Sequence, residues 1–154
     1  MKIKIEMATP DMASHIASLI MEAMNHECCQ NFAGHQHTLA DFHRMMTKLV
    51  EMEDSQYSYR NTLVALVAND ILAGICVAYD GGKLRVLRRR FFEEAETAFG
   101  IDYRGMADET EDGEFYIDSL AVSSDFRGKG IATELLKAAI ARGKDLRIPA
   151  TGLL

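Results

Sequence analysis

The sequence predicts an α/β domain, and three observations carry that expectation. Phe115–Val122 is a compact run of apolar, β-branched and aromatic residues; a glycine-containing turn follows it, and then apolar positions at helical spacing. Thr62–Ala68 and Ile71–Tyr79 are apolar runs joined by the short turn Asn69-Asp70, which is a hairpin signal. Two amphipathic helical patterns precede that hairpin.

The elements follow in order. Ile3, Ile5 and Met7 alternate with Lys2, Lys4 and Glu6, the period of a half-buried strand. Thr9 followed by Pro10 suits an N-cap and the first helical position. The helix behind them carries Ile16, Leu19, Ile20, Ala23 and Met24 on one side. His26–His37 reads as a connection, after which Thr38 caps a second helix striped by Leu39, Phe42, Met45, Met46, Leu49 and Val50. Asp80-Gly81-Gly82 ends the second hairpin strand. From Lys83 to Phe99 the positions Leu84, Leu87, Phe91, Phe92 and Ala95 are helical, and Arg85, Arg88, Arg89 and Arg90 make the helix basic. Ile101–Gly113 turns acidic, with Asp102, Asp108, Glu109, Glu111 and Asp112. Residues 83–113 are therefore expected to form an arm inserted between the third and fourth strands, its arginines ion-paired within the chain or between subunits. After the fourth strand, Ile131, Leu135, Leu136, Ala139 and Ile140 mark a helix with Gly143 as its C-cap. Residues 144–154 look like the opening of a fifth strand.

Composition sets the bounds. With 154 residues the chain is read as a single domain, 1–154, large enough for a real core. A formal net charge of −6 at pH 7 argues against general nucleic-acid affinity and suits a cationic substrate. No apolar run approaches the roughly 20 residues that span a bilayer, so no membrane partner is expected. Cys28, Cys29 and Cys76 are an odd number with two adjacent, a poor disulfide framework, and a reducing cytoplasm is the simplest compartment.

The chemistry concentrates in Arg127-Gly128-Lys129-Gly130-Ile131-Ala132. A strand, a basic glycine loop and a helix N-terminus together make an anion site. Unsatisfied N–H groups point at the ligand, and glycine lets a phosphate approach the main chain. The loop is neither a Walker A sequence nor the three-glycine dinucleotide fingerprint. It resembles the Q/R-x-x-G-x-G/A signature of the GNAT N-acetyltransferases, and Ile117–Val122 resembles that family's fourth strand. The resemblance implies a mixed, mostly antiparallel sheet flanked by helices, and acetyl-CoA as acyl donor. By geometry, Gly128, Gly130, Ile131 and Ala132 would present N–H groups to the pyrophosphate, Arg127 and Lys129 would add charge, and Thr133 a hydroxyl. By resemblance, the main chain of Leu120-Ala121-Val122 would pair with pantetheine. The family continues for on the order of 40 residues beyond the point this chain reaches. On that basis the fold is expected to be C-terminally truncated, with an exposed sheet edge that a second copy of the chain would cover.

Amine acetylation needs an ammonium deprotonated before it attacks a thioester. Glu114 and Asp118 are the candidate bases, with Tyr116 a hydrogen-bonding neighbour on the same strand face. A plain structural role for each carboxylate stays open. His26, Cys28, Cys29, His35 and His37 lack the spacing of a metal site, so no metal is expected; the segment reads as a border of the acceptor cleft. The function expected is acetyl-CoA-dependent transfer of an acetyl group to a primary amine of a small molecule or peptide. A non-catalytic acyl-CoA-binding module and a truncated, inactive acetyltransferase are the alternatives.

Overall fold

The structure, a computed structural model, describes residues 1–153. Five strands form one sheet in the order β1-β2-β3-β4-β5: β1 (Lys4–Met7), β2 (Thr62–Val67), β3 (Ile71–Asp80), β4 (Glu114–Val122) and β5 (Ala150–Leu153). The first four pair antiparallel, and β5 runs parallel to β4. The expected mixed, mostly antiparallel sheet is therefore present. Strands β2 and β3 are central and covered on both faces, which is why they read as almost unbroken apolar runs. Their connection has Asn69 and Asp70 at φ 63° and 57°, two successive left-handed residues that match the twist of a tight hairpin.

One face of the sheet carries α1 (Ala13–Met24), α2 (His26–Ala33), α3 (Leu39–Glu51) and α4 (Leu84–Phe99). Their apolar stripes enclose Val64, Leu66, Ile75, Val77, Tyr79 and Tyr116 in the larger core. The other face carries α5 (Ile131–Asp145), whose Ile131, Leu135 and Ala139 pack on Ala65, Cys76, Ala78, Phe115 and Ile117. The α3 stripe is buried as expected apart from half-buried Leu39, and Thr38 with Asp41 closes a reciprocal capping box. On α1, Ala23 faces solvent, and Ala13, Ala17 and Met21 complete the buried side instead.

Two local expectations need correction. His26–His37 is not merely a connection, because His26–Ala33 is helical. Asn25 (φ 71°) ends α1, and its side chain accepts from the Cys28 N–H at 2.8 Å to cap α2. Gly143 is not a C-cap. The helix continues to Asp145, and Gly143 is buried where a Cβ would come within 3.0 Å of the Phe115 ring and 2.9 Å of Thr151 Oγ1. Its missing side chain lets α5 approach β4 and β5 closely.

Residues 83–113 build core rather than merely surface. Leu84, Phe91, Phe92, Ala95 and Phe99 enter the larger cluster, and Tyr103 Oη donates to the Phe32 carbonyl on α2 at 2.6 Å. The arginines are largely neutralised within the chain. Arg85 and Arg88 bind Asp108 at 2.9 and 2.7 Å, Arg90 binds Asp54 at 2.8 Å, and Arg104 pairs with Glu96.

Replacing Gly143 with valine should lower unfolding free energy by about 1–3 kcal/mol through overpacking against Phe115. Urea denaturation checks this, and a wild-type midpoint would mean the helix–strand contact is looser than described.

Candidate active site

The site is built around an irregularity in β4. Val77 pairs with Ser119 and Ala78 with Ile117, so Asp118 has no counterpart on β3 and forms a β-bulge. Before the bulge, Tyr116 faces the larger core while Phe115 and Ile117 face α5. After it the alternation is displaced by one: Ala121 packs with the larger core, and Leu120 and Val122 with the α5 side. On the other edge, β5 pairs only with Glu114, Phe115, Tyr116 and Ile117. Among the described residues, the β4 edge from Asp118 to Val122 has no strand beside it. The pairing with β5 runs as far as Ile117 and Leu153, the last described residue, and the bulge at Asp118 comes next along β4.

Asp118 is held by residues from two other parts of the chain, β3 and the turn before β2. Its Oδ2 accepts from Tyr79 Oη at 2.6 Å and from Gln56 Nε2 at 3.2 Å. Burial pushes the carboxyl up to about 6, only partly offset by the Tyr79 hydrogen bond, and Glu109 nearby raises it further. Tyr79 itself is held firmly protonated, first by burial and then by the Asp118 charge. Tyr116 Oη donates to Glu109 Oε2 at 2.7 Å, and its phenol is raised by burial and by that bond. Glu114 sits at the strand entrance and accepts from Thr110 Oγ1 at 2.6 Å. Asp118, Tyr116 and Glu114 are thus on one face, each with a different partner. Gln56, Tyr79 and Glu109 complete the cluster and were not singled out from the sequence. Gln56 and Tyr79 lie far from Asp118 along the chain, brought in by the turn before β2 and the pairing of β3, while Glu109 comes from the acidic stretch just before β4.

The glycine loop follows β4 directly. Gly128 and Gly130 have φ of 76° and 82°, and a Cβ on either would meet nothing within 4 Å, so the loop is an open cradle. Gly130 is the N-cap of α5 and accepts from Glu134 N–H through its carbonyl. The amides of Ile131, Ala132 and Thr133 belong to the first turn and have no intrahelical acceptor. The Ile131 side chain is buried in the α5-side core and fixes the helix start, while Lys129 and Thr133 are exposed. Arg127 anchors the loop. It donates to the Val122 carbonyl at 3.1 Å and lies 3.7 Å from Glu22 on α1. An open, basic loop with free amides at a helix N-terminus fits a pyrophosphate.

The thiols lie elsewhere. Cys29 is buried, its thiol pushed up to about 11, and Cys76 is a core residue raised to about 12; burial is the main cause in both. Neither is poised as a nucleophile.

Residues 22–153 match the family model described as "Acetyltransferase (GNAT) family". The chain belongs to the GNAT family of acetyltransferases. Solved structures agree on the fold. A crystal structure described as an acetyltransferase superposes with a TM-score of 0.81 at 23% identity, covering 97% of this chain and 79% of that one. An N-acetyltransferase from Staphylococcus aureus Mu50 gives 0.71 at 22% identity, over 92% and 76% of the two chains. An aminoglycoside N-acetyltransferase in complex with CoA gives 0.53 at 12% identity, over 99% and 76%. No functionally curated protein matches the sequence. No helix among the described residues is long and apolar enough to cross a membrane.

The raised Asp118 carboxyl has a stability consequence. Its folded value, about 6, exceeds the unfolded 3.8, so the folded protein binds that proton more tightly. The contribution is fully present below about pH 4 and is lost as pH rises through about 6. Asp118→Asn should therefore stabilise the protein at pH 7.5 by on the order of 1–3 kcal/mol and change little at pH 4. Denaturant titrations at the two pH values check it, and an effect independent of pH would contradict the assigned burial.

Proposed function

We propose that the protein is an acetyl-CoA-dependent N-acetyltransferase that moves an acetyl group directly to a primary amine of a small molecule or peptide. The observation that carries this reading is a base-competent carboxyl set at the β4 bulge, on the strand that leads into an open phosphate cradle. Acetyl-CoA would supply the thioester. The amides of Gly128, Gly130, Ile131 and Ala132 would bind its pyrophosphate, with Arg127 and Lys129 supplying charge and Thr133 a hydroxyl donor. Main-chain groups of Leu120, Ala121 and Val122 would pair with the pantetheine arm as a strand pairs with its neighbour. That route leads from the cradle towards Asp118.

Asp118 is assigned as the base ahead of Glu114. A carboxyl near 6 is ionised at neutral pH yet basic enough to accept a proton usefully. It would take a proton from the ammonium, directly or through water, and free the nitrogen lone pair. The nitrogen then bonds to the carbonyl carbon, the carbon–sulfur bond breaks, and the CoA thiolate leaves with its electron pair to be protonated. Backbone N–H groups of β4 would polarise the carbonyl. Tyr116 and Glu114 support this face through their bonds to Glu109 and Thr110. The net charge of −6 favours a cationic acceptor, and the free thiols suit a cytoplasmic setting.

Isothermal titration should show acetyl-CoA binding to the wild type and none to Gly130→Glu at millimolar ligand, with circular dichroism confirming that the variant is folded. Undiminished affinity would place the cofactor elsewhere. In a thiol-release assay, log kcat/KM should climb with pH and level off above about 6. Asp118→Asn should lose about 10²–10⁴-fold in kcat while keeping its acetyl-CoA affinity. A wild-type rate for that variant would remove Asp118 as the base.

A further inference from the structure

Two donors reach the Asp118 carboxylate, and both reach the same oxygen. Tyr79 Oη donates to Oδ2 at 2.6 Å and Gln56 Nε2 at 3.2 Å, and the same Gln56 amide also donates to Tyr79 Oη at 3.4 Å. The shortest link in this chain is the phenol–carboxylate bond. Burial and the Asp118 charge hold the Tyr79 phenol firmly protonated, so it stays a donor while a carboxyl titrates. A proton arriving on Oδ2 would turn that acceptor into a donor facing the Tyr79 O–H and the Gln56 N–H. Oδ1 accepts neither bond and is the oxygen open to a proton.

The groups around Asp118 act on it with opposite signs. Burial opposes ionisation most strongly, the Tyr79 hydrogen bond is the largest contribution favouring the charged form, and the Glu109 charge works with burial. Gln56 and Ser119 add smaller contributions on the side of Tyr79. Tyr57, from the turn before β2, and Tyr116, on β4, are raised mainly by burial and stay neutral. Arg88 of α4 borders the cavity beside Asp118, yet its guanidinium is tied to Asp108 at 2.7 Å and to the Ala107 carbonyl at 2.9 Å. Its Nε finds no acceptor among the described residues, Asp118 included. From α1 and α2 the same cavity receives only apolar groups, Met24 and Phe32. The Tyr79 ring is fixed independently of its hydroxyl, buried edge-on to Tyr116 with centroids 5.8 Å apart.

We propose that Tyr79 is a positioning residue for acetyl transfer: its phenol fixes Oδ2 of Asp118, favours the ionised carboxyl, and leaves Oδ1 to take the proton from the amine. The inference rests on Asp118 acting as base. The proton moves from the ammonium nitrogen to Oδ1, directly or through water, and Tyr79 keeps its own.

Tyr79→Phe removes the hydroxyl and keeps the ring. An NMR titration of the Asp118 carboxyl carbon, assigned by its loss in Asp118→Asn, should turn near 6 in the wild type and about one pH unit higher in Tyr79→Phe. Glu109→Gln should move it the other way. In thiol release the inflection in kcat/KM should follow. Tyr79→Phe should be about fivefold below wild type at pH 6 and within about twofold at pH 8.5, with acetyl-CoA affinity unchanged. A purely structural Tyr79 would leave the carboxyl titration where it is and lower activity by one factor at both pH values. That result overturns the inference and leaves the acetyltransferase reading standing. A carboxyl that moves in Tyr79→Phe while the kinetic inflection stays put removes Asp118 as the base, and the inference with it. Bound acetyl-CoA with no turnover of any amine overturns both.

Discussion

The bulge at Asp118 is the constraint on which the site depends. An extra residue in β4 shifts the alternation, so the strand presents Tyr116 and Asp118 to one core and Leu120 and Val122 to the other. Without that shift, the carboxylate and the two apolar residues after it would share a face, and α5 could not seat on Leu120 and Val122. The bulge follows directly on the β4 residues that pair with β5, Glu114 to Ile117. Bulges increase local twist and re-aim side chains, and this one aims a carboxylate towards Tyr79 and Gln56.

Holding a carboxyl in that position works against stability. Tyr79 and Gln56 both donate to the same oxygen of Asp118, yet burial outweighs them, and the group stays harder to ionise than in water. The surrounding fold supplies the compensation. Four helices close one face of the sheet, and α4 contributes three phenylalanines, Phe91, Phe92 and Phe99, to that core. The acidic stretch after α4 brings Glu109 towards Asp118, so the chain from α4 to β4 both adds packing and raises the carboxyl.

Much of the fold was legible because its signals are local. The hairpin turn, the Thr38 cap, the α3 stripe and the glycine loop are each read from a few neighbouring residues, and each forms where expected. The features that were not legible depend on distant parts of the chain. Gly143 has the residue type of a helix stop, but the Phe115 ring sets its role. His26–Ala33 is polar and short, with only Asn25 and Gly34 to mark a helix. The bulge leaves no trace in the apolar pattern of Phe115–Val122. Asp118 was recognisable as a candidate, whereas Tyr79 reads as core and Gln56 as an ordinary polar residue before a strand. Their convergence needs the β3–β4 register and the turn leading into β2.

An acyl donor seated on the α5 N-terminus and along β4 is the proposal from which the rest of the function follows. Amide hydrogen exchange with and without saturating acetyl-CoA tests it most directly. Exchange should slow chiefly in Leu120–Val122 and Gly128–Thr133. Protection confined to the arginine-rich face of α4, or none at saturation, would contradict it.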